Sequence, residues 1–196
     1  MTDFHAPLKD IRFTLNHICD LQGLAALSGM DNADPELIDQ VLDGAGKLAA
    51  EVLAPLNRVG DEQGAVLENG VVRTPDGFRE GYAAYRDGGW NSLPFDPAYG
   101  GMGLPMLIGN VCTELWNAAN MGFALCPLLN QGAVEAIHAH ATDQLKDTYL
   151  PKLVSGEWTG TMNLTEPQAG SDVGALTTRA APAGDGSDTW LVSGTN

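Results

Sequence analysis

The sequence predicts a mainly α-helical protein, in which an N-terminal helical domain is followed by the first strands of a β domain. Up to about residue 158, apolar residues recur at helical spacing in several segments. After that point the texture changes to β-branched and alternating residues separated by a Gly-rich turn. We therefore expect a helical domain over residues 1–158 and the beginning of a β domain over residues 159–196.

The first long helix has a clear start signal. Asp34 can cap the helix, Pro35 suits its first position, and Glu36 favours the positive end of the helix dipole. Apolar residues then recur on one face, and the pattern predicts that the helix ends at Gly60, with Pro55 disturbing the last turn. The face consists of Ile38, Leu42, Ala45, Ala49, Val52, Leu53 and Leu56.

A second helix is expected over residues 76–87, preceded by a possible short strand at Val71 and Val72. One face of this helix is aromatic, and packing in the core is a better interpretation of it than a ligand site. The face consists of Phe78, Tyr82 and Tyr85. An irregular Gly- and Pro-rich loop follows over residues 88–104. Helical patterns then resume over 105–120, over 131–141, and in a shorter piece after Asp143.

Strand character appears at Trp158–Leu164, at Ala175–Ala180 and at Thr189–Ser193, with a turn over Ala183–Asp188. Two or three strands are marginal alone and expose unpaired edges. We therefore expect the 196 residues to be a piece of a longer protein, truncated inside its β domain.

The composition of the chain disfavours some classes of binding partner and some cellular settings. The net charge of −15, with only ten Lys and Arg, disfavours nucleic acid and anionic membrane, since both require a positive field. No apolar run approaches the length of a membrane span, and no signal peptide is visible. The three cysteines form no CxxC pair, which favours a reduced, cytoplasmic setting.

The densest functional signal is the segment Met162–Asp172, which combines hydroxyls, carboxylates, a proline and a glycine. Taken singly, Thr165 and Ser171 would be expected to cap a turn. Taken as a constellation, they predict a ligand-binding segment. We expect Glu166 and Asp172 to be structural acceptors for nearby amides and not acid–base groups.

Two other patterns are weaker. His138 and His140 point in different directions on a helix, so they predict no metal site. The Gly100–Gly103 loop lacks the strand-then-helix context of a phosphate loop and the Lys-Ser/Thr that completes one. The histidines therefore predict no metal site in the chain, and the loop predicts no nucleotide-binding site.

Several segments, in this order, resemble the amino-terminal half of an acyl-CoA dehydrogenase. They are Pro97–Leu104, Glu114 in its helix, Gln144–Glu157, and Thr165-Glu-Pro-Gln-Ala-Gly-Ser-Asp172. Gln168 stands where this family usually has glycine, and we expect it to alter only a loop wall. The stretch Ala6–Phe13 also resembles the branch that includes methylmercaptopropionyl-CoA dehydrogenases, with residues 1–33 as an N-terminal extension.

The resemblance implies FAD as cofactor, bound by Met162, Asn163, Leu164 and Thr165 along the flavin edge. Gly170 would let the backbone come close to a ligand. Ser171 would face the phosphate-bearing part of the cofactor and the CoA substrate. The Gly100–Gly103 loop would help to wall the acyl pocket.

The implied reaction is α,β-dehydrogenation of an acyl-CoA thioester, with a carboxylate base removing the α-proton and hydride passing to the flavin. An electron-transfer flavoprotein would accept the electrons, and the whole protein would be a homo-oligomer. No residue of this chain is expected to be the catalytic base, which the family places in a carboxy-terminal helical domain. We therefore expect these residues alone to be inactive.

Two alternatives remain open at this point. One is an acyl-CoA oxidase or a flavin monooxygenase on the same scaffold, which would differ in how the reduced flavin meets oxygen. The other is a helical interaction module without catalysis, which would carry no flavin.

Overall fold

The structure, a computed structural model, describes residues 4–21, 23 and 34–195. Residues 1–3, 22 and 24–33 of the predicted N-terminal extension, and Asn196, lie outside the described residues. The chain separates into two compact units with the boundary between Gly160 and Thr161. The first unit is mainly helical with one short β-hairpin and the second holds another β-hairpin, which confirms the predicted mainly α fold class.

The first unit opens with helix α1, Leu8–Phe13, which continues as a π-helical turn, Thr14–Ile18. Helix α2, Pro35–Leu48, begins as predicted, because the Asp34 side chain accepts a hydrogen bond of 2.9 Å from the backbone N–H of Leu37. Its apolar face is buried. The local start signal in the sequence therefore forms as expected.

Helix α2 continues through a π-helical segment, Ala49–Leu53, into helix α3, Ala54–Gln63. The predicted end at Gly60 is wrong, because the helix runs on to Gly64, whose φ of 65° suits only glycine well. Gly60 serves packing instead: a Cβ there would lie 2.7 Å from the Phe78 ring. The glycine lets an aromatic side chain approach the helix backbone.

A short hairpin joins this long helix to the next one. Strand β1, Val66–Glu68, pairs antiparallel with strand β2, Val71–Arg73, which confirms the predicted strand at residues 71 and 72. The turn residues Asn69 and Gly70 both have positive φ, as a tight two-residue turn requires. Helix α4, Phe78–Asp87, follows close to its predicted bounds.

Helix α5, Met106–His140, contains two of the predicted helical segments and the residues between them. Asn120 interrupts it with a φ of −160°. The buried Asn120 side chain donates to the Leu53 carbonyl at 3.1 Å and accepts from the Phe123 N–H at 3.0 Å, so it caps the second half. Helix α6, Asp143–Ser155, completes the unit.

Aromatic rings fill the centre of the first unit. Tyr85 on α4 meets Trp116 on α5 edge to face, with ring centroids 5.0 Å apart, and meets Phe123 at 6.0 Å. Phe78 lies 6.2 Å from Phe123. The predicted aromatic face of α4 is therefore part of the core.

Two buried amides fix the chain where α6 ends. The Asn91 side chain donates to the carbonyls of Leu153 (2.7 Å) and Val154 (3.0 Å), and the Asn130 side chain donates to the same Leu153 carbonyl at 2.9 Å. Asn130 also accepts a hydrogen bond of 2.9 Å from the Gly160 N–H. These bonds satisfy backbone groups that a helix leaves unpaired at its end.

In the second unit, strand β3, Arg179–Pro182, pairs antiparallel with strand β4, Trp190–Ser193. The second of these strands and the turn before it match the sequence prediction. The strand predicted at Trp158–Leu164 is wrong for the described residues, because no partner strand runs beside that segment within 4–21, 23 and 34–195. Strand geometry needs a neighbour to take its hydrogen bonds.

Among the helices that the structure describes, not one combines the length and apolar character needed to cross a bilayer.

Candidate functional site

The predicted site residues lie at the start of the second unit, in an irregular segment that leads into a tight turn. All six are exposed: Met162, Asn163, Leu164, Thr165, Gly170 and Ser171. Met162 and Leu164 are 65% and 44% exposed although both are apolar. These side chains are accessible to a ligand, to a partner or to a further part of the protein.

The backbone of this segment is available for binding. Within the described part of the chain, Met162, Leu164 and Thr165 have no hydrogen-bond partner for N–H or C=O. A planar ligand with acceptors and donors along one edge could pair with such groups. The Thr165 hydroxyl is likewise exposed and unpaired within that part.

A four-residue turn, Glu166–Ala169, follows directly. The Glu166 N–H donates to the Ala169 carbonyl at 3.2 Å, and the Ala169 N–H donates back to the Glu166 carbonyl at 3.0 Å. Pro167 and Gln168 form its tip, and Pro167 fixes its own φ. The turn therefore has a rigid backbone.

The Glu166 carboxylate is buried at 3% exposure and accepts hydrogen bonds from several donors. One oxygen accepts from the Thr178 N–H at 2.7 Å; the other accepts from the N–H and the hydroxyl of Thr177 at 2.8 and 2.7 Å. The Thr178 hydroxyl and these Thr177 bonds hold the pKa of Glu166 far below its usual range. Glu166 is thus a fixed anion without a free lone pair for catalysis, which confirms the structural role expected of it.

Asp172 has a comparable local role. Its carboxylate accepts a hydrogen bond of 3.1 Å from the Gly174 N–H, and its carbonyl accepts one of 3.1 Å from the Ala175 N–H. These bonds form the short 3₁₀ turn Val173–Ala175. The second acid of the segment therefore also serves as scaffolding.

Gly170 and Ser171 lie between these two fixed points. A Cβ at Gly170 would meet no atom within 4 Å, so open space lies beside that backbone. The Ser171 hydroxyl is exposed and has no partner among the described residues. An approaching ligand could contact both groups directly.

Sequence reasoning did not identify Gln168, Thr177 and Thr178 as parts of this arrangement. The Gln168 side-chain amide lies 2.5 Å from a Glu166 carboxylate oxygen and 3.2 Å from the Thr177 hydroxyl. The available signal was the pair of adjacent threonines that follows Glu166 by 11 and 12 residues. Their pairing with Glu166 depends on how the chain folds back, which the spacing alone does not specify.

The Gly100–Gly103 loop in the first unit is unsuited to bind phosphate. The N–H groups of Gly101, Met102, Gly103 and Leu104 donate to carbonyls of residues 92–96 at 2.9–3.0 Å. A phosphate-binding loop must aim such groups at its ligand. Here they fasten the loop to the chain before it.

A concavity of about 530 Å³ lies beside this loop, lined in part by Phe95, Tyr99, Gly103, Val134 and His138. His138 Nε2 lies 3.2 Å from the Asp96 carboxylate. The Ala98 N–H and then His138 lower the pKa of Asp96. Within 4–21, 23 and 34–195, no group of three His, Cys, Asp or Glu side chains is placed to hold a metal ion.

Comparison with known proteins decides the family. Residues 36–157 match the model of the acyl-CoA dehydrogenase N-terminal domain. The chain belongs to the acyl-CoA dehydrogenase family. Over 192 residues, or 98% of its length, it is 42% identical to 3-methylmercaptopropionyl-CoA dehydrogenase of Ruegeria pomeroyi, of which it covers 32%. This likeness supports the branch that the N-terminal stretch indicated.

Solved structures of the family share the fold. The glutaryl-CoA dehydrogenase complex with glutaryl-CoA superposes with a TM-score of 0.69 at 22% identity, over 82% of this chain and 38% of that one. An acyl-CoA dehydrogenase complexed with FAD from Bacillus anthracis gives 0.65 at 22% identity, over 82% of this chain and 26% of that one. The chain spans about a third of the length of the curated relatives it matches.

Proposed function

We propose that the whole protein is an FAD-dependent acyl-CoA dehydrogenase that introduces an α,β double bond into an acyl-CoA thioester. The observation that carries the proposal is the exposed stretch Met162–Thr165, in which Met162, Leu164 and Thr165 have unpaired backbone groups within the described residues, together with the exposed Thr165 and Ser171 hydroxyls, in a chain of this family. Electrons would pass to an electron-transfer flavoprotein, and the whole protein would be a homo-oligomer.

The residues present fit a flavin. The unpaired N–H and C=O groups of Met162, Leu164 and Thr165 suit the donor and acceptor edge of an isoalloxazine ring, and the exposed Met162 side chain can cover an apolar face. Gly170 leaves room for close approach. When bound, the flavin supplies a two-electron acceptor for the β-hydrogen.

The residues of this chain would bind and orient. Thr165 would direct its hydroxyl toward the flavin, and Ser171 would hydrogen-bond the phosphate-bearing part of the cofactor and the CoA side of the substrate. Glu166 would keep the turn between them rigid, because its lone pairs are engaged by Thr177 and Thr178. The catalytic base would come from outside these 196 residues.

The substrate proposal follows the branch. The 42% identity to a 3-methylmercaptopropionyl-CoA dehydrogenase makes that thioester the first one to test, with butyryl-CoA as second because a butyryl-CoA dehydrogenase of Syntrophomonas wolfei is 32% identical. A polypeptide of these 196 residues alone would show no turnover.

The proposal is tested on the purified whole protein. We expect the protein to show flavin absorbance. Without oxygen, the matching acyl-CoA should reduce the flavin, so that the absorbance falls, and an electron-transfer flavoprotein should reoxidise the flavin. Thr165→Ala and Ser171→Ala should each weaken flavin affinity, by roughly tenfold for the loss of one hydrogen bond to a ligand. Rapid peroxide formation in air would instead indicate an oxidase, and a colourless protein would contradict the proposal.

A further inference from the structure

Gln168 departs from the glycine that this family usually has at the tip of the turn, and its side chain is engaged. Its Nε2 atom lies 2.5 Å from a Glu166 carboxylate oxygen, 3.2 Å from the Thr177 hydroxyl and 3.3 Å from the Ala175 carbonyl. Glycine and alanine have no group that could make these contacts. The tip of the turn is therefore fastened to residues that follow it by seven to nine positions.

The backbone of Gln168 carries no strain that would explain the residue choice. Among the non-glycine residues that the structure describes, only Asp20 and Asn69 have positive φ. A turn with negative φ at its second tip position accepts most residue types. The side chain, and not the backbone conformation, distinguishes glutamine here from glycine.

The contacts of Gln168 join the two fixed points that flank the candidate ligand contacts. On one side stands the turn Glu166–Ala169, closed by its two backbone hydrogen bonds. On the other side stands the 3₁₀ turn Val173–Ala175, held by Asp172. Gly170 and Ser171 lie exposed between them and make no hydrogen bond to another described residue, so their path depends on the distance between the two turns.

We propose that Gln168 is a positioning residue that holds Gly170 and Ser171 in the conformation that receives the phosphate-bearing part of the flavin cofactor. The inference rests on the proposed function of this segment. Gln168 acts through Ser171: it ties the first turn to Thr177 and Ala175, and thereby sets where the Ser171 hydroxyl stands. It does not itself contact the cofactor.

The test uses the whole protein, stripped of flavin and titrated with FAD while flavin fluorescence is followed. Gln168→Ala should weaken FAD binding by about tenfold, the size of one lost hydrogen bond to a charged group. The matched control is Gln131→Ala on helix α5, whose side-chain amide lies 3.1 Å from the Met106 sulfur and 3.2 Å from the Glu135 carboxylate in the first unit. The control should bind FAD as the wild type does.

The isosteric variant Gln168→Glu makes FAD affinity depend on pH. A side chain that only fills space would not produce this dependence. Its carboxyl would face the fixed Glu166 carboxylate, so its folded-state pKa would be raised above the usual value of about 4.3. While protonated it can donate to Glu166 as the amide does; once ionised it repels. Relative to wild type, FAD affinity should therefore be near normal at about pH 5 and fall by about tenfold or more near pH 8.

A double-mutant cycle tests whether Gln168 acts through Ser171. In the Ser171→Ala background, the effect of Gln168→Ala should shrink from about tenfold to about twofold, because its target hydroxyl is gone. Far-UV circular dichroism and melting temperature check that every variant folds.

A wild-type protein that binds no flavin would overturn both this inference and the proposed function. If the wild type binds FAD but the variants bind equally well, lack the pH dependence, or combine additively with Ser171→Ala, only this inference is overturned.

Discussion

Glu166 shows how a single buried acid can be committed to structure. Its carboxylate faces hydroxyl and amide donors of Thr178 and Thr177, and these hydrogen bonds lower its pKa. Because no cation is among the causes that lower its pKa, the local fold of residues 166–178 and the charge of Glu166 depend on each other.

This dependence predicts an acid sensitivity. The folded-state pKa of Glu166 lies below the ordinary value of 4.5, so the unfolded chain binds more protons at low pH. The stabilisation is full above about pH 4.5 and is lost as the pH falls toward the folded pKa. Glu166→Gln should lower the melting temperature at neutral pH and flatten its fall between about pH 5 and pH 3.

The measurement is thermal unfolding of wild type and variant at a series of pH values. Glu157→Gln is the control, because this carboxylate lies exposed beside Lys152 in a surface ion pair. It should change neither the melting temperature at neutral pH nor the acid slope by a comparable amount. An unchanged acid slope in Glu166→Gln would contradict the assigned role.

At the scale of elements, helix α5 is the feature that organises the first unit. Asn120 divides it, and its side chain uses both ends: the amide donates to Leu53 at the end of the π-helical segment, and the oxygen caps Phe123. One residue thus ends one helical half, starts the next and joins both to the neighbouring helix.

Asn120→Ala should destabilise the protein by about 1–3 kcal/mol, since a buried N–H and a buried carbonyl would each lose a partner. Denaturant unfolding of the whole protein measures the change. Asn117→Ala is the matched control: its side chain donates a hydrogen bond to the Thr113 carbonyl on the same helix, and removing it should cost less than about 0.5 kcal/mol. Equal losses in the two variants would show that the kink residue has no special role.

The same elements show which features could be predicted from sequence. The start of α2 at Asp34 and Pro35 was predictable because the cap and its partner are three residues apart. The kink at Asn120 was not, because its partner Leu53 is 67 residues away. Gly60 misled for the same reason: it looked like a helix end, whereas it makes room for a ring that lies 18 positions further along.

The candidate site divides in the same way. The density of polar residues predicts a ligand-binding segment at Met162–Asp172, which stays a prediction, whereas the hydrogen bonds of Glu166 and Asp172 confirm that the two acids are scaffolding. The strand expected at Trp158–Leu164 did not form among the described residues, because propensity cannot supply a neighbouring strand. The part of Gln168 depends on residues that only the folded turn brings beside it.

At the scale of the whole molecule, the core of the first unit can be monitored through one thiol. Cys112 is completely buried, and burial raises its pKa to about 12. Because the thiolate is the reactive form, a disulfide reagent should not modify Cys112 in the native protein. Its labelling rate should rise with denaturant in parallel with global unfolding.

Single-cysteine variants make this measurable: one protein keeps only Cys112 and another only Cys126, which is exposed on the same helix. The Cys126 protein is the comparison for reagent access. If Cys112 reacts without denaturant as rapidly as in unfolded protein, the packing described for the first unit is wrong.

The paired amides of Asn91 and Asn130 also bear on how the protein ages. Each presents N–H donors to carbonyls at the end of α6. Spontaneous deamidation would replace those donors with a carboxylate, which only accepts hydrogen bonds and would then face carbonyl oxygens. A molecule that is deamidated at either position while unfolded would therefore refold poorly. After repeated cycles of unfolding and refolding, the deamidated chains should accumulate in the fraction that fails to refold.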